Sequence, residues 1–246
     1  MTGSTRSVRM FPDDVALRRA AVESIAGAIG AAIRERDVCL LALSGGNTPG
    51  PVYDLLAAES AVRKIAWSRV HLLFADERCV PPDDPQSNFG MIRRLLLSRI
   101  PIPAAGIHRM VGEDDPASAA RAYTEELRRC SAEEPPRLDL VVLGVGKDGH
   151  TASLFPGTTV LKEENTLVRE VFVARLNSWR LTLTLPVLNA ARVVIFLVAG
   201  KAKAQVVARI LGAPGPDSSL PATLIRPAGE TVWMLDEEAA SAWLDR

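Results

Sequence analysis

The segment 138–157 reads LDLVVLGVGKDGHTASLFPG, and within it Asp148, Gly149 and His150 form a turn carrying an acid–base pair. Histidine is the side chain best suited to exchange protons near neutral pH, and an adjacent carboxylate can hold its ring or bind a ligand hydroxyl. The apolar run Leu138–Leu143 that leads into the turn is short and stops abruptly, as a buried parallel strand does. Ligands of open α/β sheets bind outside the carboxyl ends of such strands. The pair is therefore delivered where chemistry is usually done, with His150 as the candidate general base.

Gly144, Gly146 and Gly149 also match the G-x-G-x-x-G dinucleotide fingerprint. That motif needs a helix N-terminus directly after it, and Pro156-Gly157 interrupt one here. Glu170 stands near the place of the fingerprint's acidic residue, but no convincing apolar strand leads into it. The glycines are better read as backbone freedom that brings His150 close to a ligand.

Three more loops follow apolar runs. Ser44, Gly45, Gly46, Asn47 and Thr48 precede Pro49 at a helix start, an arrangement that turns backbone N–H groups toward a phosphate or serves simply as a capped connection. Asp76, Glu77 and Arg78 open a second loop that runs to Asn88. Its charges could orient a sugar hydroxyl or an oxyanion, or form a surface salt bridge. Cys79 beside Arg78 has no partner pointing to thiol chemistry. Lys201 and Lys203 follow Gly200 at the positive end of a further helix, where an anion is favoured. His71 in a strand and His108 in a loop read as structural. No metal-ligand spacing accompanies His150, and the three cysteines are too dispersed for a disulfide framework or a zinc cluster.

The elements that must position these loops alternate along the chain. Helices are expected from Asp13 or Asp14 to about Arg34, near 52–58, 88–97, 116–130 and 201–211, and from Glu237 onward. Strands are expected at 38–43, 70–74, 138–143, 168–174, 181–185, 193–198 and 231–235. That alternation implies an α/β fold, a mostly parallel sheet with helices on both faces. With no linker or repeat, residues 1–246 are expected to form a single domain. Formal net charge is zero, which argues against a nucleic-acid partner. No apolar run reaches the length of a membrane span and no signal-peptide pattern opens the chain, so a cytoplasmic protein without a membrane partner is expected. Balanced charge and a self-sufficient core permit a monomer, and a dimer stays open.

The stretches SGGNTP, DERCVPPDDPQSN, GVGKDGHTASLFPG, RLTLTLPVLN, FLVAGKAKA, PATLIRP and VWMLDEEA, in this order, resemble the 6-phosphogluconolactonase family across nearly the whole chain. The resemblance implies a cofactor-free, metal-free hydrolase of a phosphosugar lactone in the oxidative pentose phosphate pathway. The implied fold is shared with glucosamine-6-phosphate deaminases. His150, Asp148 and Arg78 become the expected catalytic set. The 44–48 loop, Asp76, Asn88, Gly146, Lys147, Arg180 and Lys201 become the expected substrate contacts, with Arg180, Lys201 and the SGGNTP backbone on the phosphate, a role open to Arg78 as well. The related deaminases carry a glutamate five residues after the histidine, where this chain has Phe155. That difference favours hydrolysis over amino-sugar isomerisation. A non-catalytic sugar-phosphate sensor is the third reading, and it would be expected to carry a DNA-binding segment for which the N-terminal stretch is too short.

Overall fold

A computed structural model describes residues 5–58 and 65–244. Strand β1 (Thr5–Phe11) is followed by helix α1 (Asp14–Arg36), whose start is set by Asp13 in an extended conformation with its carboxylate accepting from Ala16 N–H. Such a cap satisfies one of the helix's orphan donors and contributes about 1 kcal/mol. Leu17, Ala21, Ile25 and Ile29 recur every fourth residue and are buried as one stripe. Asp37, at φ 66°, turns the chain out of the helix. Next come β2 (Cys39–Leu43), α2 (Pro49–Ala58), β3 (Val70–Phe74), β4 (Asp76–Arg78), α3 (Asn88–Leu95), α4 (Pro116–Cys130) and β5 (Leu140–Leu143). The chain continues through β6 (Val168–Val173), β7 (Ser178–Leu183), α5 (Leu185–Ala190), β8 (Val193–Val198), α6 (Ala204–Leu211), β9 (Glu230–Asp236) and α7 (Glu237–Leu244).

Six strands make one parallel sheet in the order β1-β9-β8-β5-β2-β3. Every residue of β2 and of β5 is buried. Side chains alternate between faces, so both faces of the sheet's centre must be covered. Each buried Leu or Val there contributes about 1.5–3 kcal/mol of hydrophobic stabilisation. β2 continues to β3 on one side, while β5 continues to β8 on the other. The strand order thus reverses between β2 and β5, and that reversal opens a crevice at their carboxyl ends.

Three strands depart from the expected single sheet. β4, β7 and β6 form a separate antiparallel sheet, in which Asp76 faces Thr182 and Arg78 faces Arg180. The turn between β6 and β7 is short enough for antiparallel pairing, whereas a parallel pair needs a long crossover. The expected strand over 181–185 lies instead at Ser178–Leu183, and α5 begins at Leu185 behind a proline at its first turn. β1 lacks an apolar run and has no fully buried residue; it forms because β9 offers it a free edge. No helix among the described residues is long and apolar enough to cross a membrane.

Candidate active site

The loops after β2, β3, β5 and β8 converge on a cleft of about 490 Å³. Ser44, Gly45, Gly46, Asn47, Thr48, Asp76, Arg78, Asn88, Gly146, Lys147 and His150 all line it. Four strands adjacent in the sheet present their carboxyl ends together, which accounts for the convergence of segments a hundred residues apart.

After β5 the chain makes the turn 144–150 rather than a helix, as Pro156-Gly157 suggested. Gly146 N–H donates to His150 O at 2.8 Å, folding the turn back on itself. His150 Nδ1 then lies 2.5 Å from Asp148 Oδ1. A Cβ on Gly146 would sit 1.9 Å from His150 Nδ1 and 2.6 Å from Asp148 Oδ1; only glycine leaves room for the pair. The same bond commits the Gly146 N–H, removing it from the donors available to a ligand. Phe155 stacks on the imidazole with ring centroids 4.1 Å apart, and Arg175 lies over the other ring of that stack, 5.1 Å from the Phe155 centroid. Arg175 also holds Asp148 Oδ2 at 2.5 Å. Burial alone would raise the Asp148 carboxyl. The hydrogen bond and charge of His150, helped by Arg175, outweigh it and bring the group down to about 2. Asp148 is therefore an anion, fixed between a cation and the histidine whose orientation it sets.

A second group of bonds shapes the opposite wall. Glu77 is buried and accepts from Arg78 N, Asn88 N, Phe89 N and Ser87 Oγ at 2.7–3.0 Å. Burial raises its carboxyl, and those donors oppose the rise. Glu77 therefore organises the loop between β4 and α3 instead of facing the cleft. Asp76 accepts from Asn88 Nδ2 at 3.1 Å and from Ser153 Oγ at 2.7 Å, tying this loop to the segment after His150. Ser44 Oγ, Asn88 Oδ1 and Arg78 Nε are buried without a hydrogen-bond partner among the described residues, so polar capacity is left for a ligand.

The cations are distributed differently from the sequence reading. Arg78 lines the cleft, with a guanidinium nitrogen donating to Gln86 O. Arg180 is its cross-strand neighbour, buried, and its pKa is lowered by burial and by Arg78; it lies behind the lining. Lys201 is exposed and outside the lining, because residues 201–203 form a tight 3-10 turn before α6. That turn aims Lys203 inward. Its Nζ donates to Val145 O at 2.7 Å, and burial followed by repulsion from Lys147 lowers its pKa. None of Arg78, Lys147, Arg180 and Lys203 forms an ion pair among the described residues. The cleft lining thus carries the cations Arg78, Lys147 and Lys203 together with the imidazole of His150, whose partner Asp148 lies just outside it. Arg175, Ser153 and the inward role of Lys203 were not singled out from sequence. The first two lie far from their partners along the chain, and the third depends on a single turn of 3-10 helix.

Comparisons with known proteins show which family carries this architecture. Residues 12–233 match the family model described as glucosamine-6-phosphate isomerases/6-phosphogluconolactonase. A 6-phosphogluconolactonase of Nostoc sp. is 38% identical over 240 residues, covering 96% of this chain and 98% of the relative. A human 6-phosphogluconolactonase is 38% identical over 231 residues, covering 89% of each. The solved 6-phosphogluconolactonase of Thermotoga maritima superposes with a TM-score of 0.83 at 32% identity, over 94% of this chain and all (100%) of that one. A monomeric glucosamine-6-phosphate deaminase shares the fold at TM-score 0.81 and 22% identity, over 96% of this chain and 99% of that one. The chain belongs to the glucosamine-6-phosphate isomerase/6-phosphogluconolactonase family, on its 6-phosphogluconolactonase side.

Proposed function

We propose that this protein hydrolyses 6-phospho-D-glucono-1,5-lactone to 6-phosphogluconate, the second step of the oxidative pentose phosphate pathway, with His150 as general base. The observation that carries the reading is the Asp148–His150 pair at the edge of a cationic cleft. Asp148 engages Nδ1, so Nε2 is the nitrogen left to take a proton from water. The water oxygen attacks the lactone carbonyl carbon, and the carbonyl becomes an oxyanion. Arg78, in the cleft wall, is the donor placed to meet that charge. As the tetrahedral intermediate collapses, the bond from C1 to the ring oxygen breaks, and the proton held on His150 passes to that oxygen. A positioned general base contributes about 10²–10⁴-fold, and one well-placed oxyanion donor about 10²–10³-fold.

The backbone of residues 44–48 at the start of α2, together with Lys203, holds the 6-phosphate. A helix N-terminus and a partly desolvated ammonium both favour an anion there. The alternative within the family, ring-opening of an amino sugar, needs a further acid–base group beside the histidine. Phe155 stands at that place, buried and stacked on the imidazole, so the site is equipped for hydrolysis alone. The test is hydrolysis of freshly generated lactone against its spontaneous decay, with glucosamine 6-phosphate assayed in parallel. Acceleration that disappears in His150→Ala supports the reading. Ammonia release from the amino sugar, or sugar-phosphate binding without turnover, overturns it.

A further inference from the structure

At the edge of the sheet remote from the cleft, three side chains that the sequence scatters come together. His71 is the second residue of β3, His108 follows the parallel bridge by which Ile107 pairs with Leu72 of that strand, and Cys130 ends α4. His71 Nδ1 lies 2.8 Å from His108 Nε2, and Cys130 Sγ lies beside the His108 ring, 3.8 Å from Nε2 and 3.6 Å from Nδ1. One ligand atom from each of the three fits within 4.8 Å. None of them lines the cleft.

The surroundings match what a metal-binding imidazole needs. His108 Nδ1 is 2.6 Å from Glu126 Oε1, one helical turn before Cys130 on α4. A ligating histidine almost always donates its second N–H to a carboxylate, which fixes the tautomer and raises the basicity of the other nitrogen. Here that leaves His108 Nε2 unprotonated and facing His71 Nδ1. Tetrahedral zinc with Zn–N of about 2.0–2.1 Å and Zn–S of about 2.3 Å separates two nitrogens by about 3.3 Å and nitrogen from sulfur by about 3.6 Å. Cys130 Sγ stands near that distance from His108 Nε2, and a turn of the ring brings the nitrogen to face it. The imidazoles must part by about half an ångström, and both are only partly buried.

We infer that His71, His108 and Cys130 form a zinc-binding site, with Glu126 orienting His108 and water completing the coordination. On binding, the Cys130 S–H proton leaves to solvent as the S–Zn bond forms. The proton between the two imidazoles moves to His71 Nε2, so that His71 Nδ1 and His108 Nε2 both ligate. Zinc so held clamps the end of α4 to the edge strand and acts on stability rather than on the reaction.

The experiment is equilibrium dialysis of chelator-treated protein against Zn²⁺ alone, and separately against Co²⁺ with its absorption spectrum. The wild type is expected to retain one zinc per chain, to show a thiolate-to-cobalt charge-transfer band and to gain Tm with zinc. Cys130→Ser is expected to lose the band and bind zinc roughly 100-fold or more weakly, and Glu126→Gln about 10–100-fold more weakly, both with unchanged lactone turnover. His150→Ala is expected to keep the full equivalent. Zinc uptake unchanged in Cys130→Ser, no cobalt–thiolate band in the wild type, or loss of the equivalent in His150→Ala would overturn the inference.

Discussion

Asp148 Oδ1 lies 2.5 Å from His150 Nδ1, while the other oxygen of the same carboxylate is held by Arg175 from the turn between β6 and β7. One carboxylate therefore couples His150 to the turn that joins two strands of the smaller sheet, and the orientation of the imidazole depends on both sheets being in place.

Asp148→Asn keeps the shape of that contact and removes its charge. Turnover of the lactone is expected to fall by about 10²–10⁴-fold, the range of general base catalysis, with KM little changed. Arg175→Ala should lower kcat less, about tenfold, since the Asp148–His150 contact survives. Steady-state kinetics with a correction for spontaneous lactone decay gives both values. An Asp148→Asn enzyme within twofold of wild type would remove Asp148 from the mechanism.

The same carboxylate gives the fold a pH dependence. Its folded pKa, about 2, lies below the unfolded value of about 3.9. A depressed carboxyl contributes stability that is present above the unfolded pKa and is lost as pH falls through the folded one. The stability gap between wild type and Asp148→Asn is thus expected to narrow between about pH 4 and pH 2. Urea titrations across that range measure it. A gap that stays constant would place the effect elsewhere.

Lys203, not Lys201, faces the cleft. Lys203→Ala is expected to raise KM by about tenfold or more, since a charged hydrogen bond is worth about 1.5–3 kcal/mol. Lys201→Ala should leave KM within twofold. The reverse order would return the phosphate contact to Lys201.

Gly45 lies against Asn88. A Cβ at Gly45 would stand 1.8 Å from Asn88 Oδ1, so Gly45→Ala must push the amide away from Asp76. The expected cost is about 1–3 kcal/mol of stability together with a raised KM, read by thermal unfolding and kinetics on the same preparation. An alanine variant with wild-type Tm and KM would show that the loop yields freely.

Glu77→Ala strips four donors of their common acceptor. Buried donors left unpaired cost about 1–3 kcal/mol apiece when nothing replaces the bond, and water entering the space offsets part of that. A net loss of about 2–4 kcal/mol is expected, seen as a lower urea midpoint. Stability unchanged in Glu77→Ala would mean that the loop holds its shape without this carboxylate.

The strands 70–74 and 193–198, the helix 116–130 and a helix start at Asp13 or Asp14 were legible because each is written in contiguous residues: an apolar run, a periodic stripe, a capping side chain. The cleft loops were legible for the same reason. Glycines and polar side chains directly after a buried strand can only fall at the sheet's carboxyl edge. β1 was not legible, since its residues are mostly exposed and its pairing comes from β9, more than two hundred positions away.

What the tertiary structure alone decided involves partners distant along the chain. The antiparallel sheet of β4, β7 and β6 places Arg78 beside Arg180, and the same sheet brings Arg175 to Asp148. Ser153 reaches Asp76, and His71 reaches His108 and Cys130. A single turn of 3-10 helix selected Lys203 over Lys201. Motif chemistry is local and survives in the order of residues, whereas the charge environment that makes a histidine a base is a sum over neighbours in space. The sequence singled out His150; folding chose what surrounds it.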